Sequence, residues 1–319
     1  MDLITLRSGP LGLVLVPAVG GAIARFWSEA GPSTVELLHP APEDAVARCD
    51  PWSMASFPLV PWSNRIREGR FAFGGRRVSL APNHPPERHA IHGLGFRAAW
   101  TLVDRGPSGV TLEHHHPGDA WPWPYRAAQR VTLTPVQLTL ELALTNEGDA
   151  EMPAGLGWHP YFPRPAETVL TARVAAVWLT DAEVMPVALV TPAPDQDPSR
   201  GLRVDRVALD NVFTGWDGQA FVAWPERGVR LRIAAGPPLG CLVVYTPRAR
   251  PFFCVEPVSH VTDAFNLTAR GRSDTGMLSV APGETVRASV TFTPEVRPAA
   301  RGGVRGSEGQ EPGAWRRDG

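Results

Sequence analysis

Apolar and polar residues alternate with a period of two along much of this chain. Leu138, Leu140, Leu142 and Leu144 are separated by Thr139, Glu141, Ala143 and Thr145. Val229, Leu231 and Ile233 alternate with Arg230, Arg232 and Ala234, and Val286, Ala288, Val290 and Phe292 with Arg287, Ser289, Thr291 and Thr293. Successive side chains of a strand point to opposite faces, so each pattern predicts a half-buried strand. The unbroken apolar run Phe252-Phe253-Cys254-Val255 predicts a buried one. With 34 prolines and 31 glycines along the chain, long helices have little room, and short helical turns are expected only around 42–47. The economical architecture is all-β, a large antiparallel β-sandwich.

Residues 1–296 read as one domain without internal repeats. Residues 297–319 turn rich in Gly, Arg, Glu and Pro, too poor in apolar surface to offset ordering entropy, and predict a disordered C-terminal tail. The stretch 191–200 reads as a surface loop.

At 319 residues and 43% hydrophobic composition the chain can bury a sizeable core. A formal net charge of -1 argues against nucleic acid or an anionic membrane as an obligatory partner, since both favour basic surfaces. Every cation outside the histidines is an arginine. Cys49, Cys241 and Cys254 are odd in number and lack CxxC spacing, which fits a reducing compartment. The first apolar stretch, 11–24, is broken by Pro17 and three glycines and has no basic leader, so no signal peptide is expected. No apolar run is long enough to span a bilayer. A cytoplasmic, soluble monomer or homodimer is the expectation.

Candidate chemistry lies in a few segments. Pro61-Trp62-Ser63-Asn64-Arg65 sets a polar pair on a proline-pinned loop beside an aromatic, which suits a sugar site and disfavours a regular central strand. A surface arginine after a turn is the alternative. His92 precedes Gly93 and Gly95, which allow close backbone approach, though a satisfied loop histidine would look the same. In Gly157-Trp158-His159-Pro160-Tyr161-Phe162 the proline extends the histidine, and three aromatics are available to wall a pocket; a packed core histidine is the competing reading. Glu256 ends the apolar run, where a glutamate is rare unless paired or catalytic. Asp210-Asn211-Val212-Phe213 supplies another carboxylate or merely a turn. His114 and His116 would share a strand face, but with no third ligand suggested at a useful spacing they read as a structural or solvated edge, and no metal site is expected. There is no phosphate-binding glycine loop and no nucleophile elbow.

Taken in order, these segments resemble the aldose 1-epimerase family, also called galactose mutarotases. The matching pieces are Pro61-Trp62-Ser63-Asn64-Arg65-Ile66 with Gly69-Arg70-Phe71, then Ile91-His92-Gly93, Gly157-Trp158-His159-Pro160-Tyr161-Phe162, Asp210-Asn211-Val212-Phe213 and Val255-Glu256-Pro257. The resemblance implies a large antiparallel β-sandwich, in agreement with the period of two. It implies Glu256 as general base and His159 as general acid, Arg65, His92 and Asp210 as sugar-binding residues, with Asn64 beside them, and no metal or organic cofactor. The implied activity is interconversion of the α and β anomers of a free aldose. Many relatives carry a doubled glycine after the first histidine and an acidic residue soon after. Here the run is Gly93-Leu94-Gly95-Phe96-Arg97, which points to a divergent bacterial branch and leaves the sugar open. Competing readings are a sugar-phosphate mutarotase using Arg67, Arg70 and Arg97, a glycoside hydrolase using Glu256 and Asp210, and a non-catalytic sugar-binding or sensing module.

Overall fold

The strands predicted from alternation lie together in one sheet. The computed structural model describes residues 2–30 and 33–296, so the expected tail beyond 296 lies outside the described residues. Nine antiparallel strands run in the order Thr101–Arg105, Gly109–His116, Tyr125–Leu133, Leu138–Asn146, Thr285–Val296, Val229–Ala235, Gln219–Trp224, Val169–Ala172 and Leu202–Arg203. Leu138, Leu140, Leu142 and Leu144 are all buried while Glu141 is exposed. Leu138 and Leu140 pair with Phe292 and Val290 on the next strand, so two independent alternations meet on one buried face. Each such aliphatic contributes about 1.5–3 kcal/mol by leaving water.

A second, eight-stranded sheet follows the path Pro186–Val190, Ala176–Thr180, Asp210–Thr214, Cys241–Tyr245, Phe252–Val258, Gly157–Trp158 and Pro58–Leu59; Tyr161–Pro163 also pairs with Phe252–Val258. A four-stranded sheet, Ile4–Ser8 to Val35–Glu36, completes the main framework. One central core joins all three, with Leu140 and Val290 from the first sheet, Leu242 and Val255 from the second, and Leu13 and Leu15 from the third. Trp158 ties the two large sheets together, donating from Nε1 to Gln129 Oε1 at 3.0 Å. Among the described residues the α-helical content is one short segment, Ala264–Ala269. No helix is long and apolar enough to cross a membrane.

The strand Phe252–Val258 decides where a site can form. Phe253 and Val255 enter the central core. Cys254 and Val258 belong to a separate cluster on the opposite face, together with Phe57, Tyr161, Val212 and Val243. Glu256 shares that second face by alternation. The middle strands of the second sheet are therefore buried on both sides, and Asp210 and Glu256 stand on the side away from the central core.

One detail adds to expectation and one departs from it. The loop 191–200 closes with a 3-10 turn, Pro198–Arg200, capped by Asp197, whose side chain accepts from Ser199 N–H at 2.9 Å. Of the three aromatics around His159, only Tyr161 walls a cavity: Trp158 and Phe162 turn into the central core. Extended backbone sends neighbours to opposite faces, so a cluster in sequence need not be a cluster in space.

Candidate active site

Strand register assembles the floor of the site. Asp210 pairs with Tyr245, Tyr245 with Cys254, and Cys254 with Tyr161, which makes one row across four strands. Val212, Val243 and Glu256 form the next row. Asn64, Arg65, His92, His159, Asp210 and Glu256 all line one cavity of about 340 Å³ over this face. A concavity of about 450 Å³ lies on the nine-stranded sheet, lined by small residues and by Arg130, Glu141 and Arg287, with no histidine among them.

At the cavity's base His159 Nε2 lies 3.3 Å from Glu256 Oε1, and both side chains are almost fully buried. His159 N–H donates to Phe57 O at 3.0 Å. The imidazole packs against the rings of Phe57 and Tyr161, with centroids 4.8 and 4.6 Å away. Burial drives the two groups apart in acidity. It lowers the His159 pKa to about 3, with Arg65 acting the same way. It raises Glu256 well above the usual carboxylate range, aided by Asp210 and opposed by Arg65. Burial therefore favours one shared proton resting on Glu256. Glu256 Oε2 and His159 Nδ1 are buried without a protein hydrogen-bond partner, a costly state for both.

The arginine loop is held from two sides. Asn64 and His92 both adopt the left-handed conformation, φ 55° and 64°, which costs energy for residues with a Cβ. They hold each other there: Asn64 N–H donates to His92 Nδ1 at 3.1 Å, and His92 N–H to Asn64 O at 3.0 Å. Gly93 follows at φ 78°, where a Cβ would stand 2.1 Å from Val60 O, so this position requires glycine. From the other side, His260 Nε2 accepts from Ser63 N–H at 3.1 Å while its Nδ1 bonds Val261 O at 2.8 Å. Asp263 N–H donates to Arg65 O at 2.8 Å, and Asp263 Oδ1 accepts from Arg67 N–H at 2.9 Å. The chain that carries Glu256 thus runs on to clamp the loop that carries Arg65.

His92, His159 and Glu256 place one donor atom each within 4.8 Å of one another, a spacing that invites a metal ion. The tautomer argues against it. His92 Nδ1 accepts from Asn64, so the neutral ring carries its proton on Nε2 and has no lone pair left to bind a cation. His114 and His116 pack against Tyr125, and His116 Nε2 lies 2.9 Å from Trp121 O, as a structural edge would.

Sequence reading did not find Trp52, His84, Glu87, Tyr245, Arg250 or Phe252, which also line the cavity. Tyr245 had a signal, since it lies on the cavity face of the strand beside Glu256; Glu87 lies in a proline-rich loop with no period to read. Arg67, Arg70 and Arg97, weighed as phosphate ligands, do not line it. Arg67 Nε is 3.7 Å from Asp263 Oδ2, Arg70 Nη1 is 3.9 Å from Glu68 Oε2, and Arg97 Nη1 donates to Asn83 O at 2.6 Å.

The profile of the aldose 1-epimerase family matches residues 2–293, nearly the whole chain. This protein belongs to the aldose 1-epimerase family. It is 31% identical over 303 residues to the uncharacterized protein YphB of Escherichia coli (strain K12), covering 92% of this chain and 99% of that one. A crystal structure from Escherichia coli K12, provisionally named an aldose 1-epimerase, superposes with a TM-score of 0.83 at 29% identity, covering 93% of this chain and 99% of its own. A galactose mutarotase-like protein from Clostridium acetobutylicum shares the fold at a TM-score of 0.83 and 18% identity, covering 92% of this chain and 95% of its own. An all-β architecture with a buried histidine–glutamate contact in a sheet-face cavity is therefore the form that an aldose 1-epimerase family member takes here.

Proposed function

We propose that this protein is a mutarotase that interconverts the α and β anomers of a free aldose. The observation that carries the reading is the buried His159–Glu256 contact of 3.3 Å, with an unpartnered oxygen on Glu256. Opening a hemiacetal requires a proton to leave the C1 hydroxyl while another reaches the ring oxygen. Both oxygens are bonded to the same carbon, so the base and the acid must stand side by side.

Glu256 as carboxylate takes the proton from the C1 hydroxyl, and His159 as imidazolium gives one to the ring oxygen. The C1–O5 bond breaks, its electron pair goes to O5, and an open-chain aldehyde forms. Rotation about C1–C2 presents the other carbonyl face, and both transfers reverse. The pair holds one proton throughout: on His159 before ring opening and on Glu256 after it. Burial favours the second distribution in the free cavity. A C1 hydroxyl donating to Glu256 and a ring oxygen accepting from His159 favour the first, because hydrogen bonds to a charged form stabilise it. Each group supplies a factor of roughly a hundred to ten thousand. His92 and Asp210 hold hydroxyls while C1 turns.

Polarimetry of freshly dissolved α-D-glucose and α-D-galactose, with and without protein, tests this. Faster approach to the same final rotation, lost in Glu256→Gln, is the expected result; unchanged rates with both sugars would refute it. A phosphorylated aldose is the second reading, favoured by Arg250 on the cavity wall. Comparing glucose with glucose 6-phosphate separates the two.

A further inference from the structure

Arg65 is occupied on three sides. Its Nε and Nη2 donate to Glu87 Oε2 and Oε1, both at 2.9 Å, in a two-pronged contact. Its Nη1 reaches Asn64 Oδ1 at 3.4 Å and lies 3.6 Å from Asp210 Oδ2. Its side chain is 10% exposed, against 30% for Glu87 and 28% for Asp210. What this wall offers a ligand is thus mainly carboxylate oxygen. An ionised carboxylate has about four lone-pair sites, and Arg65 uses one on each oxygen of Glu87. The remaining acceptor capacity faces a cavity whose natural occupant carries hydroxyl donors.

The loop that presents Glu87 is anchored on both flanks. Asn83 holds Ile91 by a reciprocal pair, Nδ2 to Ile91 O at 2.8 Å and Ile91 N–H to Asn83 Oδ1 at 2.9 Å. Arg88 Nη2 donates to Glu183 Oε2 at 2.5 Å, and Glu68 N–H donates to His89 Nδ1 at 2.9 Å. Contacts on either side of Glu87, together with the fixed guanidinium behind it, preorganise its carboxylate at a set point on the wall.

We infer that Glu87 is a substrate-reading residue: its carboxylate accepts a hydrogen bond from one ring hydroxyl of the aldose, and Arg65 acts chiefly as the organiser that fixes Glu87 and Asp210. The inference rests on the mutarotase reading and deepens it. A site built to accept from a hydroxyl strands a partly buried carboxylate when that hydroxyl is missing, so an analogue lacking it is disfavoured roughly tenfold to hundredfold.

The test measures kcat/KM for mutarotation of glucose and galactose and of their 2-, 3-, 4- and 6-deoxy analogues, in the wild type, Glu87→Ala and Glu87→Gln. The wild type should lose tenfold or more on one deoxy analogue relative to its parent sugar. In Glu87→Ala that ratio should fall towards one while the ratios for the other analogues stay put; Glu87→Gln, which keeps an acceptor oxygen, should fall between. Each ratio compares substrates on one preparation, so it does not depend on the fraction folded. If Glu87→Ala is inactive, the partial collapse in Glu87→Gln decides. Wild-type discrimination that both variants retain would overturn the inference and leave the mutarotase reading intact. No acceleration of any sugar by the wild type would overturn both.

Discussion

His159 Nε2 lies 3.3 Å from Glu256 Oε1, and burial makes the first a weaker base and the second a weaker acid, so the two titrate as one unit. In the proposed mechanism the active form holds one proton in total. It is lost on the acid side when His159 also protonates, near its lowered value of about 3, and on the alkaline side when Glu256 ionises well above its ordinary range. The kcat/KM profile should therefore be a broad plateau through neutral pH, tested across the range where the protein stays folded. Limbs near the unshifted values of about 4.3 and 6.5 would contradict this.

Glu256→Gln should lower kcat by at least a hundredfold to ten-thousandfold while sugar binding stays detectable by calorimetry. It should also stabilise the fold at alkaline pH. A carboxyl with a raised folded pKa contributes stability below its unfolded value that is lost as pH rises through the folded one. The amide avoids that loss, so its advantage in urea denaturation should grow with pH, to about 1–3 kcal/mol. A variant no more stable than wild type at pH 9 would argue that Glu256 is well compensated.

His260 fixes the arginine loop through the Ser63 N–H, so it acts by positioning. His260→Leu removes the acceptor and should raise KM several-fold and cost about 1–3 kcal/mol of stability. His260→Gln can still accept through Oε1 and should recover most of KM with an unchanged pH profile. Failure of glutamine to rescue would leave His260 a packing residue only. Gly155→Ala should resemble the leucine variant, because a Cβ there would lie 1.9 Å from His260 Cδ2.

Acid should weaken the fold before it protonates most exposed carboxylates. Burial lowers His114 and His260 to about 4 and His159 to about 3, against an unfolded value of about 6.5. A depressed histidine contributes stability that is present above the unfolded pKa and lost as pH falls towards the folded one. His260 alone accounts for on the order of 3 kcal/mol between pH 6.5 and 4. Glu256 works in the opposite sense there. Urea midpoints at pH 7.5, 6 and 5 should fall steadily, and more steeply in Glu256→Gln; a flat series would rule this out.

Much of the scaffold could be read from leucine and valine spacing, because strand alternation is a local signal. Glu256 and His159 stand out in the sequence because ionisable groups are rare among apolar neighbours. Glu87 does not, since its place on the cavity wall depends on Arg65 meeting it from 22 positions away across a loop. Adjacency in sequence suggests a pocket wall for Trp158 and Phe162, and the pleat sends them to the core. Arg65 read as a free donor because a sequence does not show how many acceptors will surround a guanidinium.

The strand Phe252–Val258 gives the site a parity. Val255 faces the core and Glu256 faces the cavity, one residue apart. A slip of a single residue against Cys241–Tyr245 would exchange them, placing a carboxyl in the core and a valine on the cavity floor. Every ladder bond from Asp210 to Tyr161 is therefore also a gauge mark, and the sheet acts as a ruler that tells the carboxylate where to stand.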